Sequence, residues 1–198
     1  MQRLITLPEA PVTIIFDESL ATAEACFVQA RKLTVRDESG ALSIYESVRR
    51  KDSACILPIT VRNTVLLILQ YRIPVAAWVL ECPAGQVEAG ELPIDTVQKE
   101  LMEETGYLVQ RENIVQIGGK FPASAGGMTE MSSLFYGKDC IQTSTPLQLS
   151  QDERLMTVEI AQMDVQRAMK EVMEQGGYID PRLDIAVRAL GLITFSHW

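Results

Sequence analysis

"PAGQVEAGELPIDTVQKELMEETGY", residues 83 to 107, changes its pattern halfway along. It opens as a Pro and Gly turn. After Gly90, Pro93 suits the first turn of a helix, Val97 and Leu101 are spaced as a buried i, i+4 stripe, and Gly106 supplies a left-handed stop. On that helix Glu100 and Glu104 stack one turn apart with Glu103 beside them, at about 5–6 Å between Cβ atoms. Like charges so placed cost an isolated helix roughly 0.2–0.5 kcal/mol per pair. Two readings stand. The glutamates form a solvated face, or they form a site for a hard cation such as Mg2+, which takes carboxylate and carbonyl oxygens, keeps waters and bridges to phosphate. Lys99 is spaced to pair with Glu103, and the Pro83–Gly85 turn can bring backbone carbonyls to the same patch. The residues by themselves leave both readings open.

The rest of the composition narrows the chemistry. With 198 residues and 47% hydrophobic content the chain can bury a substantial core. Its net charge of -8 argues against nucleic acid or an anionic membrane as partner, because both need clustered Lys and Arg. A phosphate-bearing substrate would therefore need a metal cation. Cys26, Cys55, Cys82 and Cys140 lie too far apart for a zinc pair or a redox CxxC, which fits a reducing, cytoplasmic compartment. The stretch "MQRLITLPEAPVTIIF" is broken by Pro8, Glu9 and Pro11, so neither a signal segment nor a membrane span is expected there. The single histidine, His197, excludes Ser-His-Asp and HExxH chemistry. Carboxylates, Lys, Arg, Tyr or a metal must do the work.

Along the chain the signals read as an α/β protein. "VTIIFDE", "ACFVQARKLTVRD" and "ALSIYESVRR", with "DESG" at 37–40 as a turn, suggest a small N-terminal antiparallel β element over residues 1–50. "ACILPITV" and "TVLLILQYR" read as two central strands joined by a tight turn at Arg62-Asn63, and "AWVLECPAG" as a second hairpin element. Further strands are expected in "NIVQIGGKF", "MSSLFYGKD" and "MTVEI", around a loop "PASAGGMTE". Two helices follow. The first is expected from Ala161 to Gln175 with Val165, Ala168, Met169 and Val172 inward, and the second over "LDIAVRALGLITF".

Gly85, Glu91 and "KELMEETGY" resemble the Nudix box, G-x5-E-x7-R-E-U-x-E-E-x-G-U with U apolar or aromatic. Each fixed position matches except the arginine, which is Lys99 here. "VRRKDSACILPI", "LLILQYRIP", "VLECPAGQVEAGE" and "SAGGMTEMSSLFYG" resemble the corresponding blocks of the ADP-ribose pyrophosphatase branch, in order and spacing. This resemblance implies a Nudix-type α/β/α sandwich with a mixed sheet over residues 51–198. It implies Mg2+ as cofactor, with Mn2+ as a substitute, held by Glu100, Glu103, Glu104 and the Ala84 carbonyl. Glu91 and Lys99 then brace the loop, although lysine lacks the planar fork of arginine.

The resemblance further implies that Arg50, Arg72, Glu81 and Glu130 grip the substrate. Beside that role, Arg50 reads equally as a surface charge in a basic trio with Arg49 and Lys51, and Arg72 as a partner of Glu81 closing a sheet edge. A late loop, here "SQDERLM", carries the general base of the branch. Gln151 stands where a glutamate is expected, so Asp152 or Glu153 is the nearby candidate, and Glu153 is preferred. The implied function is hydrolysis of the pyrophosphate bond of a nucleoside diphosphate sugar, ADP-ribose to AMP and ribose 5-phosphate, by a homodimer whose N-terminal β element contributes contacts. The alternatives are another nucleotide sugar such as GDP-mannose, or a module that senses ADP-ribose without cleaving it.

Overall fold

The computed structural model describes residues 12–19, 28–144 and 155–193. The chain divides into two compact units. The smaller comprises residues 1–51 with 122–130, and the larger residues 52–121 with 131–198.

In the smaller unit β1 (Val12–Ser19), β2 (Gln29–Asp37) and β3 (Leu42–Arg49) form an antiparallel sheet in the order β1-β2-β3. The β2–β3 turn closes as its composition suggests. Asp37 Oδ1 accepts from the amides of Ser39 and Ala41, each at 2.9 Å, and Gly40 takes φ +85°. Residues 122–130, expected as a plain loop, join this unit through backbone contacts with β3. The Val48 amide donates to Gly127 O at 2.8 Å, and the Thr129 amide donates to Val48 O at 2.9 Å.

The larger unit begins with β4 (Ser53–Thr60), β5 (Thr64–Arg72), β6 (Ala77–Glu81), β7 (Ala84–Gln86), helix α1 (Pro93–Thr105), β8 (Tyr107–Leu108) and β9 (Ile114–Gln116). A short β10 (Phe121–Pro122) follows in the chain. The larger unit then continues with β11 (Met131–Gln142), β12 (Leu155–Ala161), α2 (Val165–Glu174), β13 (Tyr178–Ile179) and α3 (Pro181–Ala189). Its sheet runs β11-β4-β5-β6-β13, with β7 also on β4, β12 on β5, and β8 and β9 on β11. The β11–β4 and β13–β6 pairs are parallel and the others antiparallel, so the sheet is mixed.

Both sheet faces are covered, which explains the unbroken apolar runs of β4 and β5. Ala54, Ile56, Leu66 and Phe135 point to one side and pack with Val97 and Leu101 of α1. Their neighbours Cys55, Leu57, Val65, Leu67 and Leu134 point to the other side, where Val165 and Met169 of α2 and Leu183, Ala186 and Val187 of α3 meet them. The period of two therefore sorts one strand between two helical layers, and the larger unit is an α/β/α sandwich. Each such Leu or Ile, fully withdrawn from water, contributes about 1.5–3 kcal/mol.

Helix α1 matches its sequence signals at both ends. Pro93 occupies the first turn, and Gly106 takes φ 72° while its amide donates to Met102 O. The two later helices differ from expectation. Ala161 still belongs to β12, and residues 162–164 form a 3₁₀ turn, so α2 starts at Val165. Helix α3 begins at Pro181, not Leu183, and ends at Ala189, before Gly191 at φ +67°. The apolar spacing continued past that glycine because Ile193 is core without being helical.

Candidate active site

The Pro83–Tyr107 segment folds as strand, loop and helix, and it gathers the box residues around two backbone positions. At the first, the Ala84 amide donates to Glu104 Oε2 at 3.1 Å. Glu104 is only 7% exposed although it sits on a charged helix. At the second, Gly85 leaves room for Glu100. A Cβ at residue 85 would lie 2.0 Å from Glu100 Oε1 and 2.2 Å from its Cδ. Gly85 pairs with Ala54 of β4, so both carboxylates are referenced to a buried central strand. Glu103 is half-buried on the same helix.

The braces are placed differently from the spacing argument. Lys99 Nζ lies 3.5 Å from Glu100 Oε1, an adjacent residue, alongside the electrostatic pull of the expected partner Glu103. Partial burial pulls the ammonium pKa down, but the charges of Glu100, Glu103 and Glu91 outweigh this and raise it, so Lys99 serves all three. Glu91 Oε2 accepts from the Glu88 amide at 3.1 Å, closing the loop ahead of α1.

Among the described residues, no three Asp, Glu, His or Cys side chains are gathered closely enough to form a metal cage. The donor set nevertheless fits Mg2+ chemistry. That ion prefers hard oxygens, takes one or two carboxylates, and fills its remaining positions with water and substrate phosphate. The chain supplies such oxygens at Glu100, Glu104, Glu103 and the Ala84 carbonyl.

Beside this patch lies a buried ionic network. Arg72 at the end of β5 reaches Glu81 at the end of β6 with a two-pronged fork, Nε to Oε1 and Nη2 to Oε2, both 2.6 Å. Glu81 is 3% exposed. The hydrogen bonds to Glu81 raise the Arg72 pKa against the opposing effect of burial, and the Glu104 charge adds to the rise, so Arg72 is within electrostatic reach of the box. Two residues missed in the sequence complete the network. Arg182 Nη2 is 3.7 Å from Glu81 Oε2, and its guanidinium also forks onto Asp180, Nε to Oδ1 at 2.9 Å and Nη2 to Oδ2 at 2.7 Å. The signal available for them was Asp180-Pro181, an N-cap residue followed by proline in the first turn.

Burial would raise the Asp180 pKa, but the hydrogen bonds and charge of Arg182 outweigh it and leave the carboxyl below its ordinary value. A depressed carboxyl contributes stability that is complete above the unfolded value of about 4 and is lost as pH falls through the lower folded value. Asp180→Asn keeps a capping oxygen and removes the charge. Thermal and denaturant unfolding is expected to put this variant about 3 kcal/mol below the parent at neutral pH, with the gap closing below about pH 4. A gap independent of pH would contradict the assignment.

The smaller unit holds its own pair. Arg50 Nη1 lies 3.4 Å from Glu130 Oε2, and Glu130 is 8% exposed. The Arg50 amide donates to Thr129 Oγ1 at 3.2 Å. Arg50 is therefore tied to Glu130 instead of standing in a loose surface trio. Glu153, with Gln151 and Asp152, lies outside the described residues.

A model of the NUDIX domain matches residues 49–181. A methanol dehydrogenase activator of Bacillus methanolicus is 31% identical over 183 residues, covering 90% of this chain and 95% of that protein. An ADP-ribose pyrophosphatase of Bacillus subtilis is 28% identical over 154 residues, covering 78% of this chain and 80% of that protein. A solved structure described as an ADP compounds hydrolase superposes with a TM-score of 0.65 over 94% of both chains at 21% identity, a likeness of fold.

Proposed function

Because this chain belongs to the NUDIX family of hydrolases, we propose that it cleaves the pyrophosphate bond of ADP-ribose, giving AMP and ribose 5-phosphate, with Mg2+ as cofactor. The observation that carries this reading is the pairing of Glu104 with the Ala84 amide and of Glu100 with the space over Gly85. Two carboxylates held against one strand end are a platform for a hard cation. Arg72, with Glu81 behind it, is a cation positioned for a phosphate.

Glu100, Glu103, Glu104 and the Ala84 carbonyl would hold Mg2+, and Mn2+ could take its place. When bound, the metal neutralises diphosphate charge and makes a coordinated water more acidic. Arg72 binds and orients a phosphoryl oxygen, and Glu81 keeps its guanidinium plane in place. Arg50 and Glu130 are assigned to substrate binding. Glu153 is assigned as the base that takes a proton from the attacking water, since Gln151 has no carboxylate.

Several wider assignments belong to the same proposal. The N-terminal β element, residues 1–50, is assigned to homodimer contacts, with residues 51–198 as the hydrolase domain. Light scattering is expected to give the mass of two chains, and the mass of one would contradict this. The free thiols of the buried Cys55, Cys82 and Cys140 support a reducing, cytoplasmic setting, and among the described residues no helix is long and apolar enough to cross a membrane.

The test is a Mg2+-dependent screen over ADP-ribose, GDP-mannose, other nucleotide sugars and dinucleoside polyphosphates. Preferential release of phosphomonoesters from ADP-ribose supports the reading. Preference for another sugar corrects the substrate, and binding without cleavage corrects the activity to sensing. The likeness to the methanol dehydrogenase activator favours one second reading, in which the same chain stimulates a dehydrogenase. Adding the chain to a bacterial methanol dehydrogenase assay separates the two.

A further inference from the structure

We propose that Arg182 is a positioning residue for the substrate grip: acting through Glu81, it holds Arg72 in place and keeps the charge beside the bound diphosphate balanced. This rests on the reading of Arg72 as a phosphate ligand.

A carboxylate as buried as Glu81 is tolerated only when cations and hydrogen bonds replace its water. Arg72 supplies both prongs of one fork, at 2.6 Å each. The fork uses Nε and Nη2 and leaves Nη1 unengaged by Glu81, on a side chain that is 43% exposed. Arg182 Nη2 approaches the same Oε2 at 3.7 Å, and its side chain is 19% exposed.

Capping α3 does not require that guanidinium. Asp180 already accepts the Arg182 backbone amide at 2.7 Å, which satisfies the helix start. The Arg182 side chain nevertheless pays desolvation and repels Arg72 across Glu81. What it provides is a second anchor on Glu81. Asp180 fixes that anchor through its side-chain fork, and the Asp180 amide, donating to Leu80 O at 3.0 Å, ties the assembly to β6 one residue before Glu81.

The charge count gives the same role. Glu81 and Asp180 are balanced by Arg72 and Arg182. Removing Arg182 leaves two carboxylates against one guanidinium, an excess negative charge next to the place where an anionic diphosphate must bind. It also frees Glu81 to turn and take Arg72 with it. The loss should fall on binding, in ground state and transition state alike.

The experiment uses the full chain with Arg182→Met, Arg182→Lys and the double variant Asp180→Asn/Arg182→Met, which restores the charge balance. Arg182→Met is expected to raise KM for ADP-ribose about tenfold with kcat within about twofold, and to weaken metal-free ADP-ribose binding by the same factor in calorimetry. The double variant is expected to recover part of that KM, and Arg182→Lys to fall between parent and Arg182→Met. A merely structural role would show as a fall in kcat through a smaller active fraction, with KM and affinity unchanged, and that outcome overturns the proposal; a lower melting temperature is expected under either role, because Asp180 loses its buried partner. So does an Arg182→Met protein whose KM and affinity match the parent. If the parent neither binds nor cleaves ADP-ribose, the functional reading fails and takes this inference with it. An active parent with indifferent variants overturns the inference alone.

Discussion

Glu104→Gln is expected to reduce Mg2+-dependent hydrolysis of ADP-ribose by about a thousandfold while leaving the protein folded. The exchange is close to isosteric, and the new amide oxygen can still accept the Ala84 amide that Glu104 Oε2 accepts at 3.1 Å. The backbone contact of the residue, Thr157 Oγ1 donating to Glu104 O at 3.0 Å, is untouched. What disappears is the negative charge of a nearly buried carboxylate. Because the amide keeps the shape and the Ala84 contact, the melting temperature should shift by only a few degrees. A stability cost together with full activity would mean that Glu104 is a structural acid and that the box glutamates do not hold the metal. Initial rates and thermal unfolding of parent and variant, run side by side, separate the two.

Gly85→Ala is expected to have the second-largest effect, by a steric route. The φ of Gly85 is not among the positive ones, so alanine is compatible with its backbone. The added methyl would instead coincide with the Glu100 carboxylate, 2.0 Å from Oε1 and 2.6 Å from Cγ. These are atoms of a flexible side chain, which can swing away without opening the core. The expected outcome is a fall of about a hundredfold in activity at limiting Mg2+, partly recovered at high Mg2+, with melting changed by only a few degrees. The Mg2+ concentration dependence of the rate reads this directly. An unchanged dependence would mean that Glu100 need not occupy that space when the enzyme works.

The fold was legible where the chain carries backbone chemistry. Pro93 and Gly106 bracket α1 because one presets φ and the other accepts a left-handed turn, and both effects are local. The central strands were legible because apolar runs of that length need cover on both faces. The apolar spacing places α3 two residues late and too long, since periodicity registers burial and Ile193 is buried beyond the helix end.

The site was legible in its residue types and less so in its contacts. Glu100 and Glu104 could be placed from helix geometry, but the reason for Gly85 could not, because it depends on β7 lying beside α1. Arg72 and Glu81 can be read as an ion pair from the sequence because a short hairpin joins them. Arg182 comes from a segment about a hundred residues further on in the sequence, and no spacing rule reaches that far. Arg50 and Glu130 stand far apart in the sequence, and the backbone hydrogen bonds of Val48 with Gly127 and Thr129 bring their segments together. The i, i+4 rule pairs Lys99 with Glu103 because it considers helix neighbours alone, whereas its surroundings also include Glu91 and the adjacent Glu100.

The measurement that tests the central claim most directly is product analysis of ADP-ribose incubated with the purified chain, with Mg2+ and with chelator. AMP and ribose 5-phosphate in equal amounts, formed only with the metal and lost in Glu104→Gln, are the expected result. Intact ADP-ribose under both conditions, or cleavage that persists in chelator, would contradict it.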